Sequence, residues 1–331
     1  MTGAPPAAVL AIDAGNSKTD IVIVATDGRV LGRAQGGGFH PHIVGPVDAV
    51  GGLVPLVEAA AAEAGLRTDQ GPLVEVVSAC LANADLLIEE QRLAAAIDDL
   101  GWGRFVAVAN DTFALLRAGV DEPLGVAVVC GAGINCVGLT PDGRTARFPA
   151  IGKISGDWGG GLQLADEAFW AAARADDGRG RSTILAKTLP QHYGMPTMTA
   201  LIEALHLQEI AIERRLEATP VLFHAATKGD PVAAELIRRQ ASEIVSMAVV
   251  ALRRLELLDQ LVPVVLGGGV LAAGQTVLLE DVTSMLAALA PRARPVVFTG
   301  APVIGAALLG LDRLGTRPEA RRTSRFSHNL L

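Results

Sequence analysis

Two aspartates stand where an apolar run stops and a turn or helix begins. Asp13 follows the run 7–12, and Asp111 follows the run 105–109 within Asn110-Asp111-Thr112. The carboxyl end of a strand is where α/β sheets usually place their ligands. There Asp13 can hold Mg²⁺, directly or through water, and Asp111 can take the proton of an attacking hydroxyl. Both positions also have ordinary structural uses. Asp13 suits a turn that bonds to its own backbone, and Asn110 and Asp111 suit a helix N-cap. The two roles coexist at 110–111 if Asn110 caps and Asp111 faces a cleft.

Glycine-rich turns supply the matching chemistry for an anion. In Gly15-Asn16-Ser17-Lys18-Thr19 and again in Gly131-Ala132-Gly133, glycine permits positive φ and close approach of a phosphate. Backbone N–H groups that converge in such a turn form an anion-binding nest. Asn16, Ser17 and Thr19 add donors and Lys18 adds a positive charge. Either turn alone reads as a hairpin; two facing each other would grip a triphosphate. A third run, Gly267-Gly268-Gly269, fits the loose GxGxxA pattern together with Ala272. No acidic residue closes a βαβ unit about 20 residues on, so the run is read as a strip on which adenosine can lie flat against backbone. No GxxxxGK[ST] loop occurs. In the segment 153–161, four glycines precede a helix, and Asp157 is placed to bind sugar hydroxyls. A flexible interdomain loop is the alternative there.

Strands must position these groups. A buried strand at 7–12 and strands at 20–26 and 29–34 are expected around the first turn and an Asp27-Gly28 hairpin signal. The same layout returns at 124–129, 134–139 and 144–148, around the second turn and Asp142-Gly143. A repeat of this size points to duplicated domains. Further strands are expected at 73–79, 105–109, 262–266 and 295–298. Helices are expected at 47–64, 86–100, 111–118, 273–289 and 301–314. A helical stretch should cover 162–258, and its longest helix should span 231–258. Mixed sheets covered by helices give an α/β architecture. The expected division is an N-terminal domain over 1–119, a C-terminal domain over 120–315 with a helical insertion at about 162–258, and a disordered basic tail over 316–331.

Composition sets the outer limits. The chain has 331 residues, half of them hydrophobic and 19% charged, enough apolar material for substantial cores. A formal charge of −7 disfavours nucleic acid as a partner. Cys80, Cys130 and Cys136 make no disulfide framework and no Cys/His cluster, which fits reduced thiols in the cytoplasm. The first ten residues lack a basic n-region, so no signal peptide is expected. No apolar run reaches the roughly 18 residues that cross a bilayer.

From about Val9 to Gly310 the ordered set of motifs resembles the N-acetylglucosamine kinase and benzoyl-CoA reductase activator family. That family lies within the superfamily of actin, heat-shock chaperone ATPases and sugar kinases. Residues 13–19 look like its first phosphate motif, 131–136 like its second, 267–269 like its adenosine motif and 302–307 (PVIGAA) like its last connecting helix. The resemblance implies two actin-like, ribonuclease H-like domains with MgATP and a small sugar meeting in the cleft between them. Asp111 falls at the catalytic base, Asn110 and Asp111 are expected to contact the substrate, and Asp157 falls at a sugar-binding aspartate. His40 falls near a sugar-contacting Asn, and Ser78 near another contact. Ala132, Trp158, Gly160 and His40 depart from the family's Thr, Glu, Ser and Asn; these changes are expected to line the substrate pocket. The expected reaction is ATP-dependent phosphorylation of an amino sugar such as N-acetylglucosamine at its 6-hydroxyl. A homodimer stays open. The alternatives are an ATPase that activates a radical dehydratase or reductase, and a non-catalytic sugar sensor.

Overall fold

The computed structural model describes residues 7–69 and 71–316, so the expected tail lies, except for Thr316, outside the described residues. Alternating and continuous apolar runs become ten strands. They are β1 (Ala7–Ala14), β2 (Thr19–Ala25), β3 (Val30–Gly36), β4 (Val74–Leu81), β5 (Gly103–Asn110), β6 (Gly125–Cys130), β7 (Ile134–Leu139), β8 (Thr145–Arg147), β9 (Val262–Gly267) and β10 (Ala293–Val297). Two five-stranded sheets result, ordered β3-β2-β1-β4-β5 and β10-β9-β6-β7-β8. Numbered from its own first strand, each sheet has the order 3-2-1-4-5, which makes the second a topological copy of the first. Both are mixed. In the first, β1 pairs antiparallel with β2 and parallel with β4. In the second, β9 and β10 are parallel whereas β7 and β8 are antiparallel.

Contacts group the chain into two units. The first holds the residues up to Ala127, Val137–Pro149 and the chain from Phe298 on; the second holds Val128–Cys136 and Ala150–Val297. This differs from the 1–119 and 120–315 division expected from chain order. The physical reason is the last helix, Val303–Arg313, whose apolar face completes a core with Val9, Ala11, Val22, Val76 and Ala114. Gly305 in that helix sits so close to the helix Asp111–Ala118 that an added Cβ would lie 1.8 Å from the Ala114 carbonyl oxygen. Buried Arg117 also donates from Nε to Asp312 Oδ2 at 2.6 Å. The opposite face of the first sheet is covered by Leu53, Val57, Leu93 and Ile97 from other helices.

One expected helix is broken, and the expected helical stretch resolves into its separate helices. The stretch 47–64 becomes Pro46–Gly51 and Val54–Glu63. Gly51-Gly52 weakens the first, and Pro55 is tolerated only in the first turn of a new helix. The stretch 162–258 divides into Gly161–Asp176, Leu185–His192, Met198–His206, Ala218–Thr227 and Pro231–Arg254. The last is the longest, and Asp230 starts it by accepting from the amides of Val232 and Ala233 at 3.0 and 2.9 Å.

Candidate active site

In the first unit, β1 and β5 carry the two aspartates to neighbouring positions. Asp13 lies opposite Asp20 on β2 and Cys80 on β4. Asp111 is the first residue after β5, and Asn110 caps the helix that follows. Asn110 Oδ1 accepts from the Thr112 amide at 3.0 Å, and its Nδ2 donates to Asp85 Oδ1 at 2.9 Å. Asn110 is buried with both ends of its side chain engaged, so the cap is its observed role. Asp111 is half-buried beside it.

The electrostatics tie the aspartates together. Burial, then the negative charges of Asp111 and Asp20, push the Asp13 carboxyl up to about 8, with Lys18 opposing. Burial pushes Asp111 up to about 6 against the hydrogen bonding around Thr112. Burial raises the Cys80 thiol, and Asp13 and Asp111 raise it further. A buried carboxyl such as Asp13, raised further by neighbouring negative charge, is suited to receive a cation or a proton. Among the described residues no group of three or more His, Cys, Asp or Glu side chains builds a metal cage. Asp13 nevertheless fits Mg²⁺, which commonly takes one or two carboxylates and completes its shell with substrate phosphates and water.

The first turn joins β1 to β2. The Gly15 amide donates to the Lys18 carbonyl at 2.8 Å, while Asn16, Ser17 and Lys18 are exposed. Lys18 pairs with Asp20 at 2.8 Å, next to Asp13. Thr19 is buried and its hydroxyl donates to the Gly37 carbonyl at 2.8 Å, which makes it a brace for the turn. His40 reaches the same turn: a Cβ on Gly38 would lie 2.2 Å from Asn16 O and 2.8 Å from His40 Nε2. Asn83 joins them, donating from Nδ2 to Asn16 Oδ1 at 2.9 Å and to the Phe39 carbonyl at 3.2 Å. Ser78 is not brought to this group. It is buried beneath Gly310, whose added Cβ would lie 3.1 Å from Ser78 Cβ, so the last helix covers it.

The second unit brings the other glycine segments together. Gly268, at φ +85°, lies on the backbone of Cys130 so closely that a Cβ would be 2.6 Å from its carbonyl carbon. Gly267 ends β9, and exposed Gly269 opens the short helix Gly269–Ala272. The Gly161 amide donates to Gly131 O at 2.7 Å, and the Leu162 amide to Ala132 O at 3.0 Å. A planar trans peptide holds its N–H opposite to its C=O. The amides of Ala132 and Gly133 therefore point away from the helix Gly161–Asp176, and both residues are exposed. Such outward amides are what a nest requires.

Asp157 follows the 3₁₀ turn Gly152–Ser155 and accepts from the Ser155 hydroxyl, and its amide donates to Gly152 O at 3.1 Å. Trp158 and Gly160, expected to line the substrate pocket, are both buried by packing. Trp158 is 7% exposed with the Arg239 guanidinium 4.0 Å from its ring centroid. Gly160 is buried under the second turn, where a Cβ would lie 2.5 Å from Ala132 O.

Several participants carry no sequence signal of their own. Glu90 receives the Asn110 amide at 3.1 Å and a two-pronged ion pair from Arg147 at 2.8 and 2.7 Å. In the sequence it is one more acid on an amphipathic helix. Asn83 has φ +60°, a conformation asparagine tolerates, but its partners are far away in the chain. All three cysteines are buried and free, and burial drives Cys130 up to about 12.

Residues 10–310 match the BadF/BadG/BcrA/BcrD ATPase family. An N-acetylmuramic acid/N-acetylglucosamine kinase of Clostridium acetobutylicum is 26% identical over 265 residues, covering 80% of this chain and 85% of that protein. An N-acetyl-D-glucosamine kinase of Dictyostelium discoideum is 25% identical over 312 residues, covering 92% and 97%. Among solved structures, one from Chromobacterium violaceum, provisionally described as an N-acetylglucosamine kinase, shares the fold. It has a TM-score of 0.69 and 24% identity, covering 92% of this chain and 99% of that one. The ROK family glucokinase of Streptomyces griseus, solved with glucose and AMPPNP, has a TM-score of 0.53 at 17% identity, covering 92% and 98%. With the match running through all three glycine motifs and both aspartates, the chain belongs to the BadF/BadG/BcrA/BcrD ATPase family.

Proposed function

We propose that the protein transfers the γ-phosphoryl group of ATP to a hydroxyl of a small amino sugar, N-acetylglucosamine or a close relative, at the 6-position. The observation that carries the reading is Asp111. It is a half-buried carboxylate at the end of β5, pushed up to about 6 and grouped with Asp13. A carboxylate tuned toward neutrality, half-buried on a rigid helix start, is suited to general-base work. The names of the two curated relatives supply the sugar class.

In this mechanism Asp111 orients the sugar hydroxyl and accepts its proton as the phosphoryl group arrives. The amides of exposed Asn16, Ser17 and Lys18 in the first unit, and those of exposed Ala132 and Gly133 in the second, are each suited to bind phosphate oxygens, and Gly267–Gly269 to offer flat backbone for adenosine. Asp13 would hold Mg²⁺, which neutralises phosphate charge when bound. His40 and Asp157 are each suited to hydrogen-bond sugar hydroxyls. Thr19 braces the first turn, and Asn110 fixes the start of the helix that carries Asp111. Use of ATP, with three buried thiols kept reduced, fits a cytoplasmic protein. The activator reading has less support. Cys130 and Cys136 are buried and burial raises both thiols, whereas a cluster ligand must be an accessible thiolate.

The test is ADP release with Mg²⁺ across N-acetylglucosamine, N-acetylmuramic acid, N-acetylmannosamine, glucose and no sugar. Release should depend on sugar and be fastest with an N-acetylated hexosamine. Sugar-independent hydrolysis, or no turnover with any acceptor, would refute the proposal.

A further inference from the structure

Gln240 is fully buried in the middle of the helix Pro231–Arg254. Its Oε1 accepts from the Gly160 amide at 2.9 Å. Its Nε2 has no partner among the described residues. The amide fills a notch cut by a missing side chain, since a Cβ on Gly159 would lie 2.7 Å from Nε2 and 2.8 Å from Oε1. A residue kept for packing alone would be leucine or methionine, which fill such a space without an orphaned donor. The acceptor oxygen is therefore the part that the site uses.

What that oxygen holds is the segment beneath the second turn. Gly159 and Gly160 have φ of +134° and +87°, values that glycine alone adopts easily. Left to themselves, consecutive glycines sample many conformations. Gln240 pins the Gly160 amide, and the next two amides, of Gly161 and Leu162, take the carbonyls of Gly131 and Ala132. Those two bonds turn the Ala132 and Gly133 amides outward.

We propose that Gln240 is a positioning residue for the nucleotide's phosphates. Without touching ATP, it fixes the Gly159–Gly161 hinge so that the hinge aims the Ala132 and Gly133 amides. The inference rests on reading the second turn as a phosphate site, and it adds a residue that lies more than a hundred positions from that turn in the chain.

The variant Q240M keeps length and shape and removes the acceptor. It exchanges one orphaned donor, Nε2, for another, the Gly160 amide, so Tm should change little. Affinity for AMPPNP with Mg²⁺, measured by calorimetry, should weaken about tenfold, or about 1.4 kcal/mol. KM for ATP should rise in step while KM for the sugar stays within about twofold. A purely structural role predicts the opposite pattern: a lower Tm and unchanged affinity per folded molecule. If Q240M does not fold, Q240N, which stays polar but falls one methylene short of the Gly160 amide, should give the same weakening. Folded Q240M or Q240N with wild-type affinity for the analogue would overturn the inference. A wild-type protein that itself fails to bind Mg·AMPPNP would bring down the nucleotide reading first, and the inference with it.

Discussion

Replacing Asp111 by Asn tests the chemistry most directly, because little else depends on that carboxylate. The helix cap is Asn110, which receives the Thr112 amide at 3.0 Å, so D111N should leave the helix Asp111–Ala118 in place. With a value of about 6, Asp111 is about nine-tenths ionised at pH 7 and about one-tenth ionised at pH 5. The value of kcat/KM for the sugar should therefore fall about tenfold from pH 7 to pH 5, approaching unit slope below pH 5. D111N should lower kcat at pH 7 by at least about 10²-fold, equivalent to about 2.7 kcal/mol of barrier. Its affinity for Mg·AMPPNP should be nearly unchanged. Removing this charge also removes one of the influences that raise Asp13, which should then ionise at lower pH in D111N. The assay is coupled ADP release in overlapping buffers between pH 4.5 and 9, with circular dichroism to verify folding at each end. A folded D111N within tenfold of wild-type turnover, or a wild-type profile flat between pH 5 and 7, would refute the assignment.

Two further outcomes follow from contacts already described. Asp13 is held at about 8, above its ordinary 3.8, so the folded state retains a proton that the unfolded state has lost across that interval. Through this group stability falls as pH rises from about 4 to about 8. D13N should therefore raise the Tm of the ligand-free protein more at pH 8 than at pH 5 while abolishing activity; an equal Tm gain at both would contradict the electrostatic account. In the helix Val303–Arg313, alanine at Gly305 would gain about 1 kcal/mol of helix propensity. The added Cβ would lie 1.8 Å from Ala114 O and 2.8 Å from Ala118 N, both backbone atoms that cannot rotate away. Overpacking of about 3 kcal/mol wins, so G305A should lose about 2 kcal/mol in denaturant titration, and an unchanged midpoint would show a looser helix contact.

What could be read from the chain was local, and what could not was distant. Most strands among the described residues lie where apolar runs bounded by Gly, Asp or Pro place them, because burial on a sheet face imposes its pattern on consecutive residues. The glycine turns and the aspartates at strand ends were legible for the same reason. For Ser78, the strand shows that the residue is buried but not that Gly310 packs over its face. Trp158 looked like a changed pocket residue, yet its partner is Arg239 on another helix. Asn83, Arg147 and Gln240 meet partners 44, 57 and 80 residues away, and nothing in the neighbouring residues marks them.

The place of the final helix bears on how the protein is made. One face of the first sheet, with Val9, Ala11, Val22 and Val76, is completed by residues from Val303 to Leu311. During synthesis that greasy face waits, unclothed, until the entire second unit has left the ribosome. A message truncated before Val303 would yield a polypeptide with correctly paired strands and a sticky flank, a substrate for chaperones and proteases.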